Sequence, residues 1–379
     1  MTRHCFFLSF LMLTEGIVRG AIAGPDSLEG NRWWQRVYRY FEESNEVREE
    51  RKFDFSVIGG PHYASDTRLG FGVVASGLYR LDRSDRVLPP SDVSLYGDVT
   101  TTGFYLLGLR GNTIFPRDRF RVNGNIFFCS FPGSYWGIGY EMGRDDGNKQ
   151  EYKRLESHVQ FDFLCRVAGY LYAGPNFLFS HVEGRNFEDE SVLNGERRRV
   201  SSFGLGAVLS YDSRDFIPNP GRGFYVRLEQ LFFVKEMGNR ASFRRTSVEV
   251  RGFRTLWKGG ILACGAQGIF NDGDTPWSMV ARLGGSYWMR GYYEGRYRDR
   301  DLVQAQVELR QKVYRRHGVA LWVGAGNVFP KMERFRWSHT LPNGGVGYRW
   351  EFKNRINVRL DYGVGKGETG FYFSVNEAF

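Results

Sequence analysis

Between Leu302 and Val313 the chain alternates without interruption. Val303, Ala305, Val307 and Leu309 take the odd positions, and Gln304, Gln306, Glu308, Arg310 and Lys312 take the even ones. A pleated strand points successive side chains to opposite faces, so a beat of two separates an apolar face from a charged one. Asn354–Val364 repeats it, with Ile356, Val358, Leu360, Tyr362 and Val364 against Arg355, Asn357, Arg359 and Asp361. Phe203, Leu205, Ala207, Leu209 and Tyr211 oppose Ser202, Gly204, Gly206, Ser210 and Asp212 in the same way. A soluble sandwich would also alternate. These segments, however, run to about 10–14 residues where globular strands usually hold ~5–6, and their apolar faces gather Phe, Tyr and Trp near the strand ends, as aromatic girdles do.

Composition narrows the choice. The 379 residues include 32 Phe, 21 Tyr and 9 Trp, too much apolar surface for a disordered chain. Past the first 25 or so residues no window approaches the ~20 uncharged apolar residues of a spanning helix. A mean hydropathy of -0.42 beside 16% aromatic residues and 48 Gly fits strands of which every second residue faces lipid. The expected fold is all-β, a transmembrane antiparallel β-barrel. Sixteen segments read as strands, the first at 68–80 and the last at 369–378, with 278–288 counted among them; residues 53–60 offer a seventeenth short strand and are placed as the entry to the barrel. Short turns fall at 257–258 and 353, long loops at 131–149, 185–199 and 328–341.

Arg3 and His4 precede an apolar stretch from Cys5 to Leu13, and Ala21-Ile22-Ala23 follows. That order is a signal peptide over residues 1–23, which would leave a mature chain of 50 basic and 41 acidic residues. In residues 24–52, Trp33, Trp34, Val37, Tyr38 and Phe41 sit at helical spacing, largely opposite Arg32, Arg36 and Arg39, and a charged linker follows. This short amphipathic helix either lies at the membrane–water interface, plugs the barrel or is a plain linker. The barrel domain is then 53–379. Cys129, Cys165 and Cys264 are too scattered for a disulfide framework and leave one optional bridge open.

No catalytic constellation is visible. G-x-S-x-G is absent, and His62, His158, His181, His317 and His339 show no metal-ligand spacing. Gly363–Thr369 lacks phosphate-loop spacing and reads as a hairpin turn. The expectation is a protein that is not an enzyme and holds neither metal nor cofactor. The Arg/Tyr-rich stretch Arg290–Asp301 would suit single-stranded nucleic acid, but its acidic and glycine interruptions and the secretory signal argue against that. Phosphorylated lipid headgroups suit exposed basic charge better, which makes outer-membrane lipids the expected partners.

Three segments together resemble the BamA/TamA-like bacterial surface-antigen barrels, the outer-membrane assembly and translocation superfamily. Tyr211–Tyr225 is similar to that family's strand–turn–strand signature through Asp212, Arg214, Asp215, Pro218, Gly221 and Gly223. Leu283–Tyr292 is similar to its signature loop, with Arg290, Gly291 and Tyr292 at the tip. The chain ends in Gly370–Phe379, where Phe371, Phe373 and Phe379 resemble an assembly signal, although Glu377 stands where many such signals carry an aromatic residue. The resemblance implies that residues 289–301, between the eleventh and twelfth strands, fold into the lumen and that Arg290 meets acidic wall residues. Glu308 matches one such position, and the alternation independently turns it inward. Gly324 stands where the family often has an Asp, so the anchor is expected to be satisfied differently, for example by Asp361.

The resemblance also implies an outer-membrane location and insertion or translocation of protein or lipid. Only 44 residues separate Gly24 from Arg68, fewer than the ~50 of a small domain. The reading is therefore a barrel-only member whose client-handling module is missing or supplied by a separate polypeptide, so that the expected partners are client barrel proteins or a separate periplasmic accessory protein. Poor pairing between first and last strands would let the sheet open sideways. Gly70, Gly72 and Gly77 would weaken that seam, or relieve barrel curvature. The competing reading is a passive pore or structural barrel without assembly activity.

Overall fold

The computed structural model describes residues 53–64, 68–82, 90–353 and 355–379. The signal peptide and amphipathic helix expected in residues 1–52 lie outside them. Eighteen strands follow in chain order: β1 (Phe53–Ala64), β2 (Arg68–Tyr79), β3 (Ser91–Thr100), β4 (Tyr105–Ile114), β5 (Phe120–Tyr135) and β6 (Gln150–Ala168). Next come β7 (Leu171–Arg185), β8 (Arg199–Asp212), β9 (Gly223–Phe233), β10 (Phe243–Trp257), β11 (Gly260–Gly273), β12 (Ala281–Arg282) and β13 (Arg298–Asp299). The last are β14 (Asp301–Tyr314), β15 (His317–Phe329), β16 (Leu341–Lys353), β17 (Ile356–Gly365) and β18 (Glu368–Val375). Sixteen of them form one antiparallel sheet in sequence order, β1 to β11 and then β14 to β18, while β12 and β13 pair only with each other. The two ends of the sheet, β1 and β18, lie against each other, giving a sixteen-stranded barrel.

The count of sixteen agrees with the sequence reading, but one member differs. Residues 278–288 are not a wall strand; they belong to the connection between β11 and β14. The missing strand is β1, in register with β2 from Phe53↔Tyr79 to Ala64↔Arg68. Gly70, Gly72 and Gly77 consequently sit on the second strand, paired to β1 on one side and β3 on the other, and the seam glycines of the sequence reading are displaced from the seam.

The wall is inside out relative to a soluble protein. Glu308, Arg359 and Asp361 are fully buried, whereas their neighbours Val307 and Tyr362 are more than two-fifths exposed. Leu321, Val323 and Val346 are over half exposed. Water would penalise that arrangement, because it strips charges of solvent and leaves hydrocarbon wet. Hydrocarbon outside and a polar bore inside make it favourable, so the surface is that of a membrane-spanning barrel. The four longest fully described connections, 136–149, 186–198, 274–300 and 330–340, share one rim; 115–119, 169–170, 258–259 and 315–316 are tight turns on the other.

Candidate functional site in the barrel lumen

The β11–β14 connection, residues 274–300, does not stay on the rim. Trp277, Met279, Leu283, Met289, Arg290, Tyr292, Tyr297 and Arg298 along it are all buried, in a chain whose wall strands expose their apolar residues outward. Its base is held by hydrocarbon and rings. Trp277 packs edge-on against Tyr135, Phe187 and Tyr152 with centroids 6.1–6.5 Å apart. Its indole nitrogen donates to the Arg197 carbonyl at 3.0 Å. Leu283, Met289, Tyr292 and Tyr297 join Leu302, Val328 and Leu341 in one cluster. From above, Gly139 donates to the Arg298 carbonyl at 2.8 Å and Tyr140 stacks on Tyr297.

The tip is held by charge. Arg290 donates through Nη1 to Asp361 Oδ2 at 2.6 Å and through Nη2 to Glu308 Oε2 at 2.5 Å. Its guanidinium lies 3.7 Å from the centroid of Trp322, a cation–π contact strengthened by the absence of water. The two carboxylates come from different strands, β14 and β17, so the fork of Arg290 ties both to the loop. Each is shared. Glu308 also accepts from Arg310 at 2.7 Å, and Asp361 from Arg349 at 2.6 Å and Arg359 at 2.9 Å. Glu377 accepts from Arg349 at 2.8 Å. Four arginines therefore face three carboxylate side chains, all nearly or fully buried.

Backbone contact is as close as the ion pairs. Gly291 has φ +113°, and a Cβ there would stand 2.7 Å from the Val364 carbonyl carbon; one at Gly363 would stand 2.6 Å from the Arg290 carbonyl carbon. Only glycine on both sides allows this approach. The tip then bonds to the last strand: Gly291 N–H to the Tyr372 hydroxyl at 3.0 Å and Tyr293 N–H to Glu368 Oε2 at 2.7 Å. The Tyr292 hydroxyl donates to the Pro342 carbonyl at 2.7 Å and accepts from Lys366 N–H at 2.7 Å.

Gly324 explains how the anchor is completed. A side chain at that position would collide with Asn343 Oδ1 and the Ala305 carbonyl, at 2.6 and 2.8 Å. The space it leaves is taken by Asn343, whose Nδ2 donates to the Arg290 carbonyl at 2.9 Å. Glu308 and Asp361 thus meet Arg290 together. Reading the sequence did not single out Trp322, Arg310, Arg349, Arg359, Asn343 or Tyr372. The in-facing positions of the alternating strands carried the signal for the arginines.

The strand–turn–strand motif lies toward the short-turn rim, and the end of the chain runs from there to the loop tip. Asp212 accepts from Arg214 at 2.8 Å and from Arg121 at 3.4 Å. Asp215 Oδ1 accepts from Gly221 N–H at 2.9 Å while its Oδ2 meets Arg355 at 2.7 Å. Gly223, at φ +108°, passes so close to Ser213 that a Cβ would stand 2.3 Å from the carbonyl oxygen. Pro218 accepts from Glu377 N–H at 3.5 Å. After Val375 the chain leaves the wall: Phe379 is buried, stacked on Trp288 with centroids 5.9 Å apart, and its main-chain oxygen accepts from Arg310. Phe371 and Phe373 stay on β18, on the face opposite Tyr372. Cys129, Cys165 and Cys264 are free thiols.

A membrane barrel of sixteen strands with a loop drawn inward and clamped by an Arg-Gly-Tyr tip defines a class of outer-membrane protein. Residues 110–379 match the Omp85 superfamily domain, and the chain belongs to that superfamily. No curated protein matches it in sequence. Among solved structures, BamA from Haemophilus ducreyi lacking POTRA domains 1-3 is 14% identical with a TM-score of 0.55, over 85% of this chain and 70% of that one. CdiB from Acinetobacter baumannii and CdiB from Escherichia coli are each 11% identical with TM-scores of 0.55, over 86% of this chain. The match spans 60% of either CdiB chain. The likeness is one of fold. The protein resides in the outer membrane, and by the usual disposition of such barrels the long loops face outward and the short turns face the periplasm.

Proposed function

We propose that this barrel inserts or translocates protein or lipid at the outer membrane, without covalent chemistry, by letting the sheet open between β1 and β18. The observation that carries this reading is where the lumen loop is fastened. Its tip bonds Tyr372 and Glu368 of β18 and the carboxylate of Asp361 on β17. The loop therefore braces the last hairpin from within. β18 pairs with β17 over only Glu368–Val375 before the chain turns into the lumen. Short edge strands limit how much pairing a seam can make. An opened edge exposes N–H and C=O groups that lipid cannot satisfy and an incoming strand can. Client barrel strands are the expected partners, with a separate periplasmic accessory protein to deliver them. The loop drawn into the lumen counts against the passive pore.

A cross-link tests it. Cysteines placed across β1 and β18, in a background with Cys129, Cys165 and Cys264 replaced by Ser, are oxidised in proteoliposomes and insertion of a client barrel is followed. Locking should abolish insertion, and reduction should restore it. Full activity with the seam locked ends the lateral-opening reading, and steady conductance without insertion selects the pore.

A further inference from the structure

The two rims carry different charge. The fully described periplasmic turns, 115–119, 169–170, 213–222, 258–259 and 315–316, hold seven basic residues and two acidic ones. The outer connections 101–104, 136–149, 186–198, 234–242, 330–340 and 366–367 hold ten basic and nine acidic. Both periplasmic acids are already engaged, Asp118 with Arg121 and Arg166 and Asp215 with Arg355. Arg117, Arg119, Arg222, Arg254, Lys258 and Arg315 are all exposed. Among the described residues, none of these six has a carboxylate partner.

Rings mark the depth at which these cations sit. Phe115 and Phe120 flank the first turn, Tyr170 the second, Tyr211 and Phe224 the third, Trp257 the fourth and Tyr314 the fifth; each is exposed by more than a third. Exposed rings at strand ends occupy the interface between hydrocarbon and headgroups. Arg254 lies on the outward face of β10, between exposed Val250 and Leu256 and opposite buried Phe253. A cation there extends its stem along the lipid and its head to the headgroup plane.

We propose that this periplasmic ring binds the headgroups of anionic phospholipids in the leaflet facing the periplasm. Phosphate oxygens supply the acceptors that the six cations lack within the protein, and the rings fix the headgroups at the level of the turns. The ring is independent of the seam, so the surface stands whether or not the barrel opens. It gives the barrel a preferred lipid on one side of the membrane and holds the short-turn rim at a fixed depth.

The full chain is reconstituted in phosphatidylcholine vesicles with trace spin-labelled phosphatidylglycerol or spin-labelled phosphatidylcholine, and the motionally restricted fraction of each label is measured. Phosphatidylglycerol should be favoured about fivefold at low ionic strength, falling toward equality in ~1 M salt. Replacing Arg117, Arg119, Arg222, Arg254, Lys258 and Arg315 by Gln should remove the preference. Replacing Arg144, Lys149, Arg197, Arg198, Lys331 and Arg334 on the outer loops should leave it. If the sixfold variant does not fold, the pairs Arg117/Arg119, Arg222/Arg315 and Arg254/Lys258 should each lower it in part. Equal association of both labels with the unaltered protein overturns the proposal and leaves an acidic polypeptide as the ring's occupant. A preference that survives the sixfold change overturns it as well.

Discussion

The base and the tip of the lumen loop are fixed by different physics. At the base, Trp277, Leu283 and Tyr297 are buried among rings and aliphatic groups, contacts that carry no direction and tolerate exchange at constant volume. At the tip, Arg290 meets two carboxylates at hydrogen-bond distance, and Gly291 meets Gly363 with no room for a methyl group. The base supplies attraction into the lumen. The tip supplies register, because a displacement of about 1 Å would separate charges that have no water to fall back on. A loop that docks at one place against the last hairpin is better served by the second kind of contact.

Charge count separates the members of the tip cluster. Arg290→Ala removes one of four arginines and leaves three facing three carboxylates, so its cost is lost docking rather than stranded charge. Glu308→Gln leaves four arginines facing two carboxylates. It should therefore be the most damaging change to the cluster, destabilising by about 3–5 kcal/mol, and Arg290→Ala should cost clearly less. Urea unfolding of the two variants in detergent micelles measures both. Equal losses would mean that Glu308 serves only as the seat of Arg290, and the difference between tip and base would then be one of geometry alone.

The base should respond next most strongly, and differently. Trp277→Ala removes a buried ring wedged among Tyr135, Phe187 and Tyr152 and is expected to cost about 3 kcal/mol. The loop tip should stay seated. A cysteine at Met289, in a background without the native thiols, reports this by maleimide labelling: Trp277→Ala leaves it protected, while Glu308→Gln opens it. Labelling in both would show that base and tip release as one unit.

These contrasts also explain what the sequence disclosed. The alternation in Leu302–Val313 and Asn354–Val364 was sufficient to turn Glu308 and Asp361 inward, and both meet Arg290. Residues 278–288 misled because Met279, Val280, Ala281 and Leu283 look like a strand; their apolar character is buried against the loop's own surroundings, not against lipid. Phe53–Ala64 reads from sequence as no more than a short extra strand ending at Gly60, because Gly59, Gly60 and Pro61 weaken a strand signal, yet such residues are tolerated on a strand at the end of the sheet. The arginine partners were hidden for another reason. Arg310, Arg349 and Arg359 lie on β14, β16 and β17 and Glu377 beyond β18, so only the order and register of those strands, which set Arg349 opposite Arg359, bring them together.

A third kind of fastening tests whether position in the lumen, rather than charge itself, gives the tip its weight. Asp215 and Arg355 form an ion pair at 2.7 Å across the periplasmic mouth, joining the β8–β9 turn to the β16–β17 turn, but Arg355 is over a third exposed. Water and salt screen such a pair, and Asp215 also accepts the Gly221 N–H that shapes its own turn. Asp215→Asn keeps that acceptor and removes the charge. Its cost should fall below about 1 kcal/mol and vanish in high salt, whereas the loss in Glu308→Gln should be unchanged by salt. Paired urea titrations at low and high ionic strength read both. A salt-insensitive loss at Asp215 would place the periplasmic mouth, like the loop tip, out of reach of solvent.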